Sequence, residues 1–386
     1  MDWPMSQICF GLAGLFLLLV LHPYTTYPLS LMLMRKRPIR RPEPGWTHPS
    51  VAICMSAYNE ERVIVAKVES LLEMAKAYGP ASIHIYVDGS EDRTVELLEP
   101  YRDRVQVVAS KARGGKTIGL KALVAGTDTE LIAFTDANVE VPPTALVNLA
   151  EALQDPDVCL ASARLTYHNR VETGASTSGA IYWNIEEFIK SLETATGSLI
   201  GVDGALFVIE RTAYTPPPDA LIDDLYVSMQ ALLSGKRVVS AQSVLVAERG
   251  AISWTEEFDR KARIACQGMN VHRTLWPRLA KLPPVILYCY LSHRFLKWLT
   301  PFNLLLTGVF FYLGLAFALG PAWPTLIASL AFIVLTLGAI FDLPYCRTIA
   351  AALAALVGVA TGIVEALFLG RTYTTWSPAP SVRDNN

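Results

Sequence analysis

Four apolar stretches limit what this chain can fold into. Residues 8–21 form the first, and a Tyr/Pro-rich stretch extends it to Met34. Residues 302–319, 325–341 and 349–369 follow in the C-terminal third. Each approaches the ~20 residues that a helix needs to cross a hydrocarbon core. Hydrophobic residues make up 52% of the 386, and the mean hydropathy of +0.33 is high for a soluble protein. Arg35, Lys36, Arg37, Arg40 and Arg41 follow the first stretch and mark a cytoplasmic flank. The N-terminus is therefore expected outside and residue 42 onward inside. No lysine or arginine precedes the first stretch, which argues against a cleaved signal peptide. Arg347, between the last two stretches, falls on the inside by the same count. Residues 286–299 hold His293, Arg294 and Lys297 among Leu, Tyr, Phe and Trp. They are too few and too charged to span, so an amphipathic helix in the membrane interface is expected. Glu365, near one end of the last stretch, is expected at the headgroup level.

Between about residues 45 and 275 the pattern alternates. Strand-like runs at 51–56, 83–87, 105–108 and 131–135 are separated by helical patterns at 60–78, 93–99 and 116–126. This is a βαβ series, hence a largely parallel sheet with helices on both faces. Further strands are expected at 158–163, 206–209, 237–240 and 244–247. Tyr214-Thr-Pro-Pro-Pro218 breaks the pattern. A helix at 223–234 ends at Gly235, and a charged helix covers about 256–270. The expected organisation is an N-terminal membrane helix and basic flank (1–41), a cytoplasmic domain (42–275), an interfacial helix (276–300), three membrane helices (301–371) and a polar tail (372–386).

Several classes fall away. The net charge is −2 and no lysine-rich run is interleaved with aromatics, so no nucleic-acid partner is expected. The six cysteines form no CxxC and read as buried free thiols. Without HExxH, or histidines at ligand spacing, a zinc site is not expected. Neither GxGxxG nor GxxxxGK[ST] occurs.

Acidic residues supply the chemistry. Asp88 and Asp136 each end an apolar strand, and Asp223 and Asp224 open a helix. A strand that stops at a carboxylate delivers it to the carboxyl edge of the sheet, where open α/β folds bind ligands. Three such positions can serve a nucleoside, a metal-bound diphosphate and a base. Each has a plainer reading: an Asx turn for Asp88, a helix N-cap for Asp223, and a solvated helix face for Arg260 and Arg263. Gly115-Lys116 opens a helix and is a reasonable diphosphate contact, or a glycine turn with a solvated lysine.

Taken in order, residues 51–268 resemble the family 2 inverting glycosyltransferases of GT-A fold. Ala57-Tyr58-Asn59-Glu60-Glu61 is similar to that family's nucleotide-binding opening. Asp88-Gly89-Ser90-Glu91-Asp92-Arg93-Thr94 resembles its Asp-Gly-Ser-x-Asp-x-Thr turn. Asp136-Ala137-Asn138 stands at its Asp-x-Asp, and Asp223-Asp224 at its acidic pair before the catalytic helix. Arg260-Lys261-Ala262-Arg263-Ile264 stands at Gln-x-x-Arg-Trp. One span before and three after resembles the exopolysaccharide and chito-oligosaccharide synthase branch. The resemblance implies a GT-A domain, a Rossmann-like and mostly parallel mixed sheet, with one N-terminal and three C-terminal transmembrane helices. It implies a UDP-sugar donor bound by Ala57, Tyr58, Glu60, Asp88, Lys116, Asp136 and Asn138. Mg²⁺ or Mn²⁺ would sit on Asp136 and Asn138. Asp224 would be the general base, with Asp223 beside it. Arg260, Arg263 and Asp203, with Trp183, would serve the diphosphate or the acceptor. Two departures stand out. Asn138 replaces a metal-binding aspartate, and Ile264 replaces the tryptophan that would stack on an acceptor sugar. The expected activity is extension of a β-linked surface glycan on the cytoplasmic face of the inner membrane, by a homo-oligomer or with an export partner. The alternatives are transfer of one sugar to a lipid or lipid-linked acceptor, and a non-catalytic export scaffold.

Overall fold

The computed structural model describes residues 3–40, 45–167, 174–248, 254–341 and 343–375. Helices α1 (Trp3–Leu21) and α2 (Thr26–Leu33) lead into the sheet domain. There, β1 (Val51–Ala57), α3 (Ile64–Tyr78), β2 (Ala81–Asp88), α4 (Thr94–Leu98), β3 (Gln106–Ser110), α5 (Lys116–Ala125) and β4 (Leu131–Asp136) run in the expected order. Next come α6 (Ala145–Ala152), β5 (Val158–Tyr167), α7 (Gly174–Thr196), β6 (Leu206–Glu210), α8 (Asp223–Leu233), β7 (Arg237–Glu248) and α9 (Trp254–Leu279). The chain closes with α10 (Pro284–Tyr290), α11 (Leu296–Leu319), α12 (Ala322–Ile340) and α13 (Pro344–Phe368).

The seven strands lie in the order β3-β2-β1-β4-β6-β5-β7. All neighbours are parallel except the two pairs made by β6. Strand β1 is apolar throughout because both its faces are covered. Val51, Ile53 and Met55 pack on one face in a core with Val68 and Leu71 of α3 and Leu146 and Leu149 of α6. Ala52 and Cys54 face the other way, toward Leu120 and Leu123 of α5 and Met229 of α8. Reversal of β6 matters most for the site. It brings the start of β6 beside the end of β4, where the Asp136 N–H reaches the Ala205 carbonyl at 3.4 Å.

Several boundaries differ from expectation. The two short strands at 237–240 and 244–247 are one strand, β7, which absorbs extra residues at a register shift opposite Ala163 and Arg164. Helices α6 and α7 were not anticipated. The first helix starts at Ile64 rather than at 60, and the charged helix is α9, ending at Leu279. The expected interfacial segment 286–299 is continuous with the span after it. Helix α10, a π-helical turn over residues 291–295 and α11 make one rod. Its polar residues turn inward onto α7, and His293 is fully buried.

Among the described residues, four helical segments are long and apolar enough to cross a membrane: Pro4–Tyr24, Pro284–Leu319, Ala322–Ile340 and Thr348–Phe368. Helix α1 packs along α11, with Phe16 stacked on Phe310 and Phe10 edge-on to Phe311. Helix α13 leans on α9 through two glycines four residues apart. A Cβ on Gly362 would meet the Ala262 carbonyl oxygen at 2.0 Å, and one on Gly358 would meet that of Phe258 at 2.9 Å. Such small-residue contacts let helix backbones approach closely. After Gly370 (φ +59) the chain turns back, and Thr374 lies against Gly115 of the sheet domain. Three full C-terminal crossings would have left this segment on the opposite side. The Arg347 side chain, on which that count leaned, and residues 376–386 lie outside the described residues. All six cysteines are free; five are buried and Cys346 is half-buried.

Candidate active site

The site forms where β4, β6 and α8 meet the N-terminus of α5. Asp136 is the last residue of β4, and Asp223 and Asp224 are the first of α8. Carboxylates in a first helical turn favour the positive end of the helix dipole. Lys116, the first residue of α5, places its ammonium 2.8 Å from Asp136 Oδ1 and 3.2 Å from Asp223 Oδ2. Gly204, just before β6, is the floor on which these groups converge. A Cβ there would sit 3.2 Å from Lys116 Nζ, 3.3 Å from Asp224 Oδ2 and 3.4 Å from Asp136 Oδ2. Lys116, Asp136, Asp223 and Asp224 are therefore gathered at one point. Gly204 was not anticipated. Its signal was a glycine directly after Asp203 and just ahead of a strand.

Negative charge is in excess here. Burial and the charge of Asp223 push the Asp224 carboxyl up to about 7, with Lys116 pulling the other way. Burial disfavours the Lys116 ammonium, but Asp136, Asp223 and Asp224 outweigh it and hold its pKa above the usual lysine value. Burial lowers the pKa of Arg263 on α9, which feels Arg260 as a like charge and Asp224 and Asp136 as opposite ones. Arg260 pairs with Glu257 at 3.0 Å. Its other charged surroundings include Tyr167 and Glu248. Glu248, at the end of β7, was not anticipated either. Burial raises its carboxyl to about 7, and Arg260 opposes the shift. A β-bridge between Glu140 and Ala247 holds this strand end against the turn after Asp136. Asn138 lies half-buried in that turn.

Beneath the turn sits a buried lysine that the sequence reading missed. Lys67 Nζ donates to Thr135 Oγ1 (2.9 Å) and to the Val139 carbonyl (2.6 Å), while the Thr135 hydroxyl donates to the Ala205 carbonyl at 2.8 Å. Burial lowers its pKa to about 7 against the pull of Asp136. Lys67 thus ties the Asp136 turn to the β4–β6 seam.

The Asp88 motif is largely self-stitched. Asp88, buried at the end of β2, accepts the N–H groups of Gly114 (2.7 Å) and Gly115 (2.9 Å). These are the amides of the turn that leads into α5. Gly89 at φ +62 lets the backbone of residues 112–113 approach, since a Cβ would meet it at 2.8 Å. Ser90, Asp92 and Thr94 accept the N–H groups of Asn59, Glu61 and Glu60 in turn. The loop after Ala57 is thereby sewn to the turn after Asp88. Glu60 is buried in that seam, and Tyr58 carries the Arg113 guanidinium 3.6 Å from its ring centroid.

Asp203 pairs with Lys190 of α7 at 2.5 Å, and Lys190 also pairs with Glu187 at 2.8 Å. The Trp183 indole N–H donates to the Leu165 carbonyl at 2.8 Å, which fixes it against β5. Ile264 is more than a third exposed on α9.

This geometry coincides with a sequence match. Residues 52–214 match the family model described as Glycosyl transferase family 2. By that match, residues 52–214 are similar to a glycosyltransferase family 2 domain. Among characterised relatives, the beta-monoglucosyldiacylglycerol synthase of Trichormus variabilis is 23% identical over 265 residues, 66% of this chain and 56% of that protein. The synthase of the same description from Synechocystis is 22% identical over 245 residues, covering 61% and 51%. The chain thus spans about half the length of these relatives. Among solved structures, a mannosyltransferase from Pyrobaculum calidifontis, in complex with GDP-Man and Mn²⁺, superposes with a TM-score of 0.70. That match has 19% identity over 93% of this chain and 99% of that one. The chain has the expected mostly parallel mixed sheet of GT-A type and, among the described residues, one N-terminal and three C-terminal helices apolar enough to span a membrane.

Proposed function

We propose that this protein is a glycosyltransferase that moves a single hexose from a UDP-sugar to a lipid or lipid-linked acceptor, with inversion, at the cytoplasmic face of the inner membrane. The observation that carries the proposal is the convergence of Asp136, Asp224 and Lys116 on Gly204. Asp224 accepts the proton of the acceptor hydroxyl, and that oxygen attacks the anomeric carbon as the bond to the diphosphate breaks on the opposite face. Lys116 and Arg263 stabilise the charge that develops on the leaving diphosphate. Asp88 and Tyr58 are the candidates for the nucleoside, Ala57 and Glu60 for the backbone around it, and Asp203 for the acceptor.

The donor set suits a hard divalent ion such as Mg²⁺ or Mn²⁺, which prefers oxygen ligands and keeps positions for substrate phosphates. Asp136 would supply the charge and Asn138 an amide oxygen. Among the described residues no group of three or more His, Cys, Asp and Glu is arranged to hold an ion, so the protein would provide only part of the shell. Three carboxylates around one ammonium leave charge for a cation to balance. When bound, the ion would supply Lewis-acid stabilisation of the diphosphate.

Lipid rather than growing glycan is preferred as acceptor for two reasons. The curated relatives are named as makers of a glucosylated diacylglycerol. The catalytic helix neighbour α9 is also in backbone contact with the apolar α13, so the acceptor side of the site abuts the bilayer. The test uses membranes supplied with labelled UDP-glucose, UDP-galactose, UDP-N-acetylglucosamine or UDP-glucuronate. One of these should give an organic-soluble product bearing one sugar. A water-soluble polymer would return the acceptor to a growing glycan.

A further inference from the structure

We infer that Lys67 is a positioning residue for the divalent ion: it fixes the shape of the turn that carries Asp136 and Asn138, and the distance of that turn from the Gly204 floor. The inference rests on the reading above of Asp136 and Asn138 as cation ligands. Lys67 lies in the first turn of α3 and is 4% exposed. Ile64, Val68 and Leu71 of the same helix belong to the apolar core. An ammonium is costly to bury in such company unless it is well hydrogen-bonded. An apolar side chain would fill the place at less cost, if filling it were all the fold required.

Both hydrogen bonds of the ammonium land next to a residue of the site. Thr135, whose hydroxyl accepts from Lys67 at 2.9 Å, directly precedes Asp136. Val139, whose carbonyl accepts at 2.6 Å, directly follows Asn138. The same Thr135 hydroxyl donates at 2.8 Å to the carbonyl of Ala205, which follows Gly204. One side chain thus grips the turn at both ends and, through a single relay, reaches the floor. The backbone does this poorly by itself. The bond that closes the turn, from the Val139 N–H to the Asp136 carbonyl, is 3.5 Å long, and the Asp136 N–H meets the Ala205 carbonyl at 3.4 Å. Both exceed the usual range, which ends at about 3.2 Å; both Lys67 bonds are shorter than that. Beyond the turn the chain is anchored again by the bridge between Glu140 and Ala247. The stretch that depends on Lys67 is therefore the one that carries Asp136 and Asn138. Position and charge predict opposite signs. As a bare positive charge beneath the turn, Lys67 repels a cation, and its removal would tighten binding. As a clamp on the turn, its removal weakens binding.

The experiment uses the full-length protein in detergent, with Mn²⁺ as probe in the presence of UDP. Free Mn²⁺ is followed by electron paramagnetic resonance, alongside thermal melts and the donor and acceptor KM. Lys67→Met keeps an unbranched side chain of similar length and removes the donors. Thr135→Val keeps the ammonium and the shape of the strand, and removes the relay to Ala205, so it decides the matter even if Lys67→Met fails to fold. Each folded variant should bind Mn²⁺ about tenfold or more weakly, as loss of a group that orients metal ligands from behind does. The donor KM should rise with it and the acceptor KM stay unchanged. A purely structural role would lower the melting temperature and leave the Mn²⁺ affinity of the folded protein at the wild-type value. Wild-type Mn²⁺ affinity in either folded variant, or tighter binding by Lys67→Met, overturns the inference. Should the wild type bind UDP but no Mn²⁺, the cation reading itself fails and takes the positioning role with it.

Discussion

At the scale of single residues, the account turns on Asp224 and its neighbours. A general base must be ionised, and burial with Asp223 holds Asp224 at about 7 in the free protein. The kcat/KM profile should therefore rise with pH through about 7 and then level. Asp223→Asn removes the nearby anion, so the rise should move to lower pH; a profile unmoved, or moved upward, would separate Asp224 from that limb. Gly204 makes a second prediction. Its backbone is open to alanine, but a methyl would lie 3.2–3.4 Å from three charged atoms. Gly204→Ala should lower kcat by about tenfold or more, as a small misplacement of catalytic groups does, with the melting temperature retained. Wild-type turnover would mean that these atoms need not converge there.

At the scale of elements, what was legible in the sequence divides by which face of an element carries its charge. Strands β1, β2 and β4 were readable because apolar runs stop at Ala57, Asp88 and Asp136. Helix α3 was readable because its apolar side faces the core. Helix α7 inverts that rule. Glu186, Glu187, Lys190 and Glu193 are buried, so a search for an apolar stripe passes over it. The partners of Glu186 and Glu193 come from far along the chain. His293 bridges Glu193 Oε1 (2.7 Å) and Glu186 Oε1 (2.9 Å), Tyr27 donates to Glu193 at 2.5 Å, and Lys297 pairs with Glu186. Nothing local in residues 174–196 announces these contacts. The same network explains why residues 286–299 looked amphipathic: their polar side meets α7, not headgroups. Removing one member of a buried charged network costs about 3–5 kcal/mol. His293→Ala should lower the melting temperature in detergent markedly, and an unchanged melt would show that the network does not hold α7 to the rod.

At the scale of the whole molecule, the catalytic domain and the end of α13 share one side. Residues 371–375 contact α9 and Gly115, so the path from Leu296 to Phe368 returns to the sheet domain that it left. Helix α12 joins the far ends of that path: Thr325 near its start meets Tyr312 at 2.9 Å, and Gly338 near its end lies against Cys346. Apolar length alone could not reveal this, because a helix of α12's composition reads the same whether or not it passes fully through a bilayer. A fluorescent reporter fused after Asn386 should lie on the same side as one inserted in the catalytic domain. Opposite sides would require three full crossings and would separate the tail from Gly115.

The central claim is that Asp224 takes the acceptor's proton within a cluster that also holds the donor. The most direct measurement is sugar transfer by Asp224→Asn alongside its affinity for UDP with Mn²⁺. The account predicts a loss of transfer of about 10²–10⁴-fold, with UDP binding within a few-fold of wild type. Near-wild-type transfer by that variant would contradict it.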